Sequence, residues 1–310
     1  MSRRAIGPQE AANTRVPLPL RDGVAPSYLW VPDAACLGGA PLLGFLLAQF
    51  PDVGESVWRA RLLAGEVVDG AGVALRADSA LTRGLRLWYY RALDYETPIP
   101  FTEQILFCDE HLLVVDKPHF LPMMPAGRFV QETLLTRLKR STGEAALTPI
   151  HRLDRETAGV VMFSRRESSR GAYQTLFQHR HVRKTYEAIA PLMPERAFPL
   201  TYRSRMVEGT PFFRMCEEAG EPNSETVIDL VEARGALALY RLHPHTGRKH
   251  QLRVHMSALG APIVNDWFYP EARPDKGDEF DQPLQLLARS IEFDDPITGA
   301  PRRFDSQRTL

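Results

Sequence analysis

Thr148-Pro149-Ile150-His151-Arg152-Leu153-Asp154-Arg155-Glu156-Thr157-Ala158-Gly159 runs directly into the apolar stretch Val160-Val161-Met162-Phe163. A charge-dense loop feeding an unbroken apolar run predicts a buried strand over Gly159–Phe163, entered from a segment of the kind that carries function. Asp154 is flanked by Arg152 and Arg155. Positive neighbours would lower its pKa and keep it ionised. An ionised carboxylate can act as a nucleophile or a base. The same residues also suit a salt-bridged turn in which Asp154 caps backbone groups. Composition alone leaves both readings open.

Working outward, Ile105–Cys108 and Leu112–Val115 read as strands flanking the turn pair Asp109-Glu110. Helical spacing appears at Thr133–Leu138 and again at Ala172, Tyr173, Leu176 and Phe177. Val182–Ala190 and Ala236–Leu242 read as further strands. Lys249–Leu259 reads as a helix with Leu252, Met256 and Leu259 on one face, stopped by Gly260. The chain from about residue 95 to 310 is therefore expected to be one mixed α+β unit of catalytic size, entered through a linker at Tyr95–Pro100. Ahead of it, residues 39–94 form a small module. Leu42, Leu43, Leu46 and Leu47 give a helix. Ser56–Leu63 gives a second, capped by Ser56 and ended by Gly65. Val67–Leu75 gives a hairpin around Asp69-Gly70, and Leu85–Tyr90 a strand. Residues 1–38 lack periodicity and are expected to be an arm, flexible or laid over the surface.

The 310 residues suit two domains. With 44% apolar and 25% charged residues, wholesale disorder is excluded. Thirty-eight basic and 38 acidic residues cancel, so a nucleic-acid partner would need a local basic patch. The charge is uneven, and a basic stretch compatible with nucleic acid lies in the middle: residues 148–190 carry eight Lys/Arg against four Asp/Glu, whereas 270–281 carry five acids against two bases. Cys36, Cys108 and Cys216 are far apart and form no CxxC pair, which argues against disulfides or a cysteine zinc site and fits a reducing cytosol. The apolar run Pro41–Ala48 is too short to span a membrane, and no signal peptide is expected.

Two more segments could carry chemistry. His243-Pro244-His245-Thr246-Gly247-Arg248-Lys249-His250-Gln251-Leu252-Arg253-Val254-His255 holds four of the nine histidines and no acid. Metal ligation by its histidines is one reading, but the spacing of five between His250 and His255 does not match HExxH, and no glutamate lies within the segment. Phosphate contact by Arg248 and Lys249 at a helix start is another. A solvated basic surface is the third. In Val182–Ala190, strand alternation places Val182, Lys184, Tyr186, Ala188 and Ala190 on one face. Tyr186 suits either a core position or a ring on which a base stacks.

Together these segments resemble a known family. His151-Arg152-Leu153-Asp154 with Thr157-Ala158-Gly159 resembles the signature loop of RluA-type pseudouridine synthases. Lys184-Thr185-Tyr186 is similar to that family's second motif, and Gly247–His255 to its third. Asp116-Lys117-Pro118 resembles its early motif. The motifs occur in family order, and the likeness runs from about residue 100 to 295. Residues 41–92 more weakly resemble the alpha-L RNA-binding module that often precedes this domain, with six basic to five acidic residues. Ala158 stands where the family usually has Ser, Lys249 where it has Thr, and Asn265-Asp266 where Gly-Asp is common.

The resemblance implies an α+β pseudouridine synthase fold built on a mixed, mainly antiparallel sheet. It also implies an isomerase of uridine in ribosomal or transfer RNA that needs no cofactor and no metal. Asp154 would be the nucleophile, Arg253 its ion-pair partner, and Tyr186 the ring against the uracil. Arg152, Arg155, Lys184, Arg248, Lys249 and His250 would contact RNA, with Arg152 filling the space left by the extruded base. A cytoplasmic monomer is expected. The alternative is an inactive RNA-binding protein that keeps the fold, and retention of Asp154, Tyr186 and Arg253 argues against it.

Overall fold

A computed structural model describes residues 17–33, 35, 39, 41–91, 93, 95–273 and 279–310. The chain separates into two units, Met1–Tyr95 and Glu96–Leu310.

In the first unit, β1 (Ser27–Trp30) pairs antiparallel with β2 (Arg86–Tyr89), Tyr28 facing Trp88. Helices α1 (Leu42–Gln49) and α2 (Glu55–Leu63) close over Leu42, Leu46, Trp58, Val67 and Leu87, all essentially without exposure. α2 starts after Gly54, and Ser56 does not cap it. Gly65 ends it in the left-handed region, at φ +70°. The Val67–Leu75 hairpin is reduced to a single bridge between Val68 and Ala74. Asp69 Oδ1 accepts the amides of Ala71 and Val73, so the side chain turns the backbone where ladder bonds would otherwise form. β1 lies in the segment expected to be an arm, because the Tyr28 ring packs 5.1 Å from that of Trp88. Residues 1–16, 34 and 36–38 of that arm lie outside the described residues.

The second unit carries strands β3 (Gln104–Cys108), β4 (Leu112–Lys117), β5 (Thr148–Pro149), β6 (Ala158–Ser164), β7 (Arg183–Pro191), β8 (Leu200–Glu208), β9 (Met215–Glu218), β10 (Ser224–Arg234), β11 (Leu237–Pro244), β12 (Leu286–Asp294) and β13 (Pro301–Asp305). Its helices are α3 (Leu134–Thr142), α4 (Glu167–Gln178) and α5 (Gln251–Ala258). Among the described residues the strands form one sheet in the order β3-β4-β6-β12-β7-β11-β10-β8-β9, with β13 on β12 and β5 on β6. β12 runs parallel to β6, and the other pairs are antiparallel. The expected mixed, mainly antiparallel α+β architecture is what forms.

Alternation explains the layers. Leu113, Val115, Val161 and Phe163 face α3, where Leu134 and Leu138 meet them. Leu112, Val114, Val160 and Met162 face the opposite way, towards Tyr173 of α4. A third core joins Ala188, Tyr240 and Leu242 to Leu252 and Met256 of α5. Tyr186 packs against both the first and the third. β6 is buried on both faces, as its unbroken apolar sequence requires. Tyr95–Pro100 is not a free linker. The Glu96 carboxylate accepts the amides of Val130, Gln131 and Glu132, and Ile99 is buried in the first core. Among the described residues, no helix is long and apolar enough to cross a membrane.

Candidate active site

Asp154 sits in the loop between β5 and β6, and that loop is held at several points. Met162 N–H donates to His151 Nε2 (3.2 Å), and the His151 ring stacks on Phe177 with centroids 4.7 Å apart. Thr157 N–H donates to the Asp154 carbonyl (3.2 Å). Lys117, fully buried, donates from Nζ to the carbonyls of Pro118, Leu121 and Arg155 at 2.9–3.0 Å. Burial pushes its pKa down to about 7, while three converging carbonyls favour the ammonium. Gly159 closes the loop. It has φ +114° and a backbone so near β12 that a Cβ would lie 2.2 Å from the Ala288 carbonyl oxygen. The parallel β6–β12 register, Gly159 opposite Ala288, makes glycine a requirement there.

The partner charge comes from α5. Arg253 is 1% exposed. Its Nε and Nη2 donate to the two oxygens of Asp266 at 2.8 and 2.7 Å, a bidentate pair. Its Nη1 donates to Asp154 Oδ2 at 3.2 Å. The rings of Phe268 and Tyr269 lie 4.9 and 5.4 Å from the guanidinium. Asp266 is itself fixed by the amides of Phe268 (2.9 Å) and Tyr269 (3.2 Å). Burial alone would raise the Asp154 pKa, but His250 in its protonated form, and the Arg253 guanidinium with its hydrogen bond, bring it below its ordinary value. Burial also pushes His250 down to about 4, so near pH 7 this imidazole is neutral and the guanidinium is the charge beside Asp154.

A cavity of about 550 Å³ opens over this pair, and the Asp154 side chain is 22% exposed to it. Tyr186 forms one wall. Burial, and then the charge of Asp154, raise its pKa, so it is a phenol near neutrality. Lys184 Nζ lies 3.4 Å from the Thr246 carbonyl oxygen, its pKa lowered by burial. Arg152, Arg248 and Lys249 line the cavity from exposed positions, and His250 from a buried one. Arg155 is not among the lining residues. Its Nε donates to the Phe120 carbonyl (3.1 Å), and its guanidinium lies 4.7 Å from the Phe129 ring. The remaining histidines of the third segment are engaged separately: His243 with Asp229, His245 with Glu225, and His255 with Thr226 and Ser224. Sequence reading missed Arg180 and Asn223 on the cavity wall, and Asp266 and Tyr269 behind it.

The RNA pseudouridylate synthase family model matches residues 111–258. The dual-specificity RNA pseudouridine synthase RluA of Vibrio vulnificus (strain CMCP6) is 36% identical over 216 residues, covering 66% of this chain and 82% of the relative. Its counterpart in Escherichia coli (strain K12) is 37% identical over 176 residues, 54% of this chain and 78% of that one. Two human solved structures share the fold. RNA Pseudouridylate Synthase Domain Containing 4 matches with TM-score 0.52 at 26% identity, over 66% of this chain and 88% of that one. RNA Pseudouridylate Synthase Domain Containing 1 matches with TM-score 0.56 at 24% identity, over 69% and 86%. The order of the motifs, the mixed sheet and these relatives lead to one assignment: the chain belongs to the RluA-type RNA pseudouridine synthases, a family of isomerases.

Proposed function

We propose that Asp154 is the nucleophile that isomerises a uridine extruded from ribosomal or transfer RNA. The observation carrying this reading is an aspartate held ionised by a buried, Asp266-braced arginine at the floor of a cavity large enough for one nucleoside. The Asp154 carboxylate adds to the sugar or the base, the bond from C1′ to N1 breaks, the base turns, C1′ bonds to C5, and the carboxylate leaves again. The C5 proton leaves and N1 gains one, so atoms balance with no oxidant, reductant or transferred group, and no cofactor is called for. Tyr186, as a phenol, packs on the uracil. Accepting the C5 proton would require it to pass on its own, which makes it a relay rather than a free base. Arg152, exposed beside the mouth, fills the stack the base leaves. Lys184, Arg248, Lys249 and His250 hold the RNA around it, and Arg155 supports the loop and contacts RNA at its edge. Closure around the base excludes water, which would otherwise hydrolyse the cut bond.

The dual-specificity names of the Vibrio and Escherichia relatives support action on more than one RNA substrate, and ribosomal and transfer RNA are the proposed classes. Residues 39–94 are an alpha-L-like module, joined through the β1–β2 pair by part of the arm at 1–38, and residues 95–310 are the catalytic domain. The free thiols Cys108 and Cys216 support a cytoplasmic enzyme, which works as a monomer. Tritium release from RNA labelled at uracil C5 tests the reading. The wild type releases it and Asp154→Asn does not; equal release by both overturns the assignment. Mapping pseudouridines in RNA from cells lacking the protein identifies the target.

A further inference from the structure

We infer that Tyr269 is a positioning residue that locks His250 in its Nε2–H tautomer, turning an N–H donor towards Oδ2 of Asp154 and leaving Oδ1 open to the cavity. The argument is a hydrogen-bond count and rests on the reading of Asp154 as nucleophile. The Tyr269 hydroxyl is buried, the residue being 5% exposed. Met215 N–H donates to its oxygen at 2.8 Å. The hydroxyl hydrogen must then find an acceptor. Among the described residues its remaining partner is His250 Nδ1, 2.9 Å away. A ring nitrogen that accepts carries no proton, so the imidazole proton sits on Nε2.

The other nitrogen faces the chemistry. His250 Nε2 is 3.8 Å from Asp154 Oδ2, the oxygen that already accepts Arg253 Nη1 at 3.2 Å. Both N–H donors therefore address one carboxylate oxygen, and Oδ1 has no partner among the described residues. The His250 backbone is in the left-handed region (φ +56°), and its ring is flanked by Phe268 and Tyr269 at 5.7 and 5.8 Å, so the imidazole is held in place beside Asp154. The 3.8 Å gap is longer than a hydrogen bond in the free enzyme, and contacts of this kind tighten when substrate closes the site. The imidazolium form would set Nδ1–H against the tyrosine hydroxyl hydrogen. Burial of the ring also opposes that form.

Nitrogen-15 NMR of the full chain labelled in histidine reads the tautomer directly at pH 7. The expected result for His250 is an unprotonated Nδ1 and a protonated Nε2. In Tyr269→Phe the two tautomers should exchange, and kcat for tritium release should fall about tenfold while the KM for RNA changes less than twofold. His250→Gln, whose amide reaches the Nε2 position, should retain at least fivefold more activity than His250→Asn, whose amide reaches only Nδ1. A protonated Nδ1 in the wild type overturns the inference, as does a Tyr269→Phe enzyme with exchanging tautomers and unchanged kcat. Should Tyr269→Phe fail to fold, the wild-type spectrum and the two His250 variants still decide. Release by Asp154→Asn would sink the nucleophile reading alone and leave the tautomer measurement standing.

Discussion

Arg253 reaches Asp154 across 99 residues of sequence, with Nη1 at 3.2 Å from Oδ2, and does so while its other edge is clamped by Asp266. One guanidinium thus serves two carboxylates, one structural and one facing the cavity. A lysine in its place would keep the charge and lose the fork.

Asp266→Asn therefore leaves Arg253 buried with one full charge partner instead of two. Breaking a buried pair costs about 3–5 kcal/mol when a partner is removed outright, and the isosteric amide should cost less, about 2 kcal/mol. Urea denaturation checks the stability loss. Single-turnover tritium release should fall at least tenfold in the folded fraction, because Asp154 loses its fixed partner.

Gly159→Ala places a Cβ against the Ala288 carbonyl at a backbone conformation that L side chains rarely adopt. The expected destabilisation exceeds about 2 kcal/mol, since strain and displacement of a central strand add. Gly260→Ala is the control. That residue has φ +81° with nothing within 4 Å of the added Cβ, so only the conformational cost of about 1 kcal/mol applies. Equal urea midpoints for the two variants would contradict the close β6–β12 approach.

His151, His250 and His255 should make the fold acid-sensitive. Burial lowers their pKa values from 6.5 to about 3, 4 and 4. Each is depressed in the fold, so the unfolded chain binds protons first. Their contribution is complete above pH 6.5 and is lost as pH falls, through about 4 for His250 and His255 and about 3 for His151. Unfolding free energies between pH 7.5 and 4.5 should decline with a slope approaching three protons. His255→Gln should reduce that slope by about one.

Replacing Arg248 and Lys249 together should flatten the dependence of RNA affinity on salt by about two phosphate contacts, a change near 1.4 in the slope of log K against log salt for single strands. Both side chains are exposed at the cavity and make few intramolecular bonds, so stability should be unchanged. An identical slope would remove them from the binding surface.

Much of the fold was legible in local sequence. Strongly patterned segments declared themselves: Val160–Phe163 as a strand buried on both faces, Leu112–Val115 beside it, and the helices at 134–142 and 251–258. Strands β8, β9, β10, β12 and β13 were not read. Stretches such as Thr201-Tyr202-Arg203-Ser204-Arg205 and Arg302-Arg303 are mostly polar or charged on half-exposed strands, so apolar periodicity is weak there. The candidate site was legible where a motif names a residue type, as at Asp154, Tyr186, Lys184 and Arg253. It was illegible where a residue acts through another. Asp266 and Tyr269 look like any acid and any aromatic until the sheet brings them behind Arg253 and His250.

By itself, the sequence determined which groups are available: a carboxylate among cations, a glycine before a buried strand, and a basic segment opening a helix. Tertiary structure alone decided which of those cations meets the carboxylate. Arg152 and Arg155 lie within two residues of Asp154 in the chain. One projects to the cavity from an exposed position, and the other turns to Phe120 and Phe129. Arg253 takes the carboxylate because β6 and α5 converge on the floor of one cavity. Only burial there, with Asp266 opposing it, makes a guanidinium both fixed and weakly screened enough to hold the charge in place.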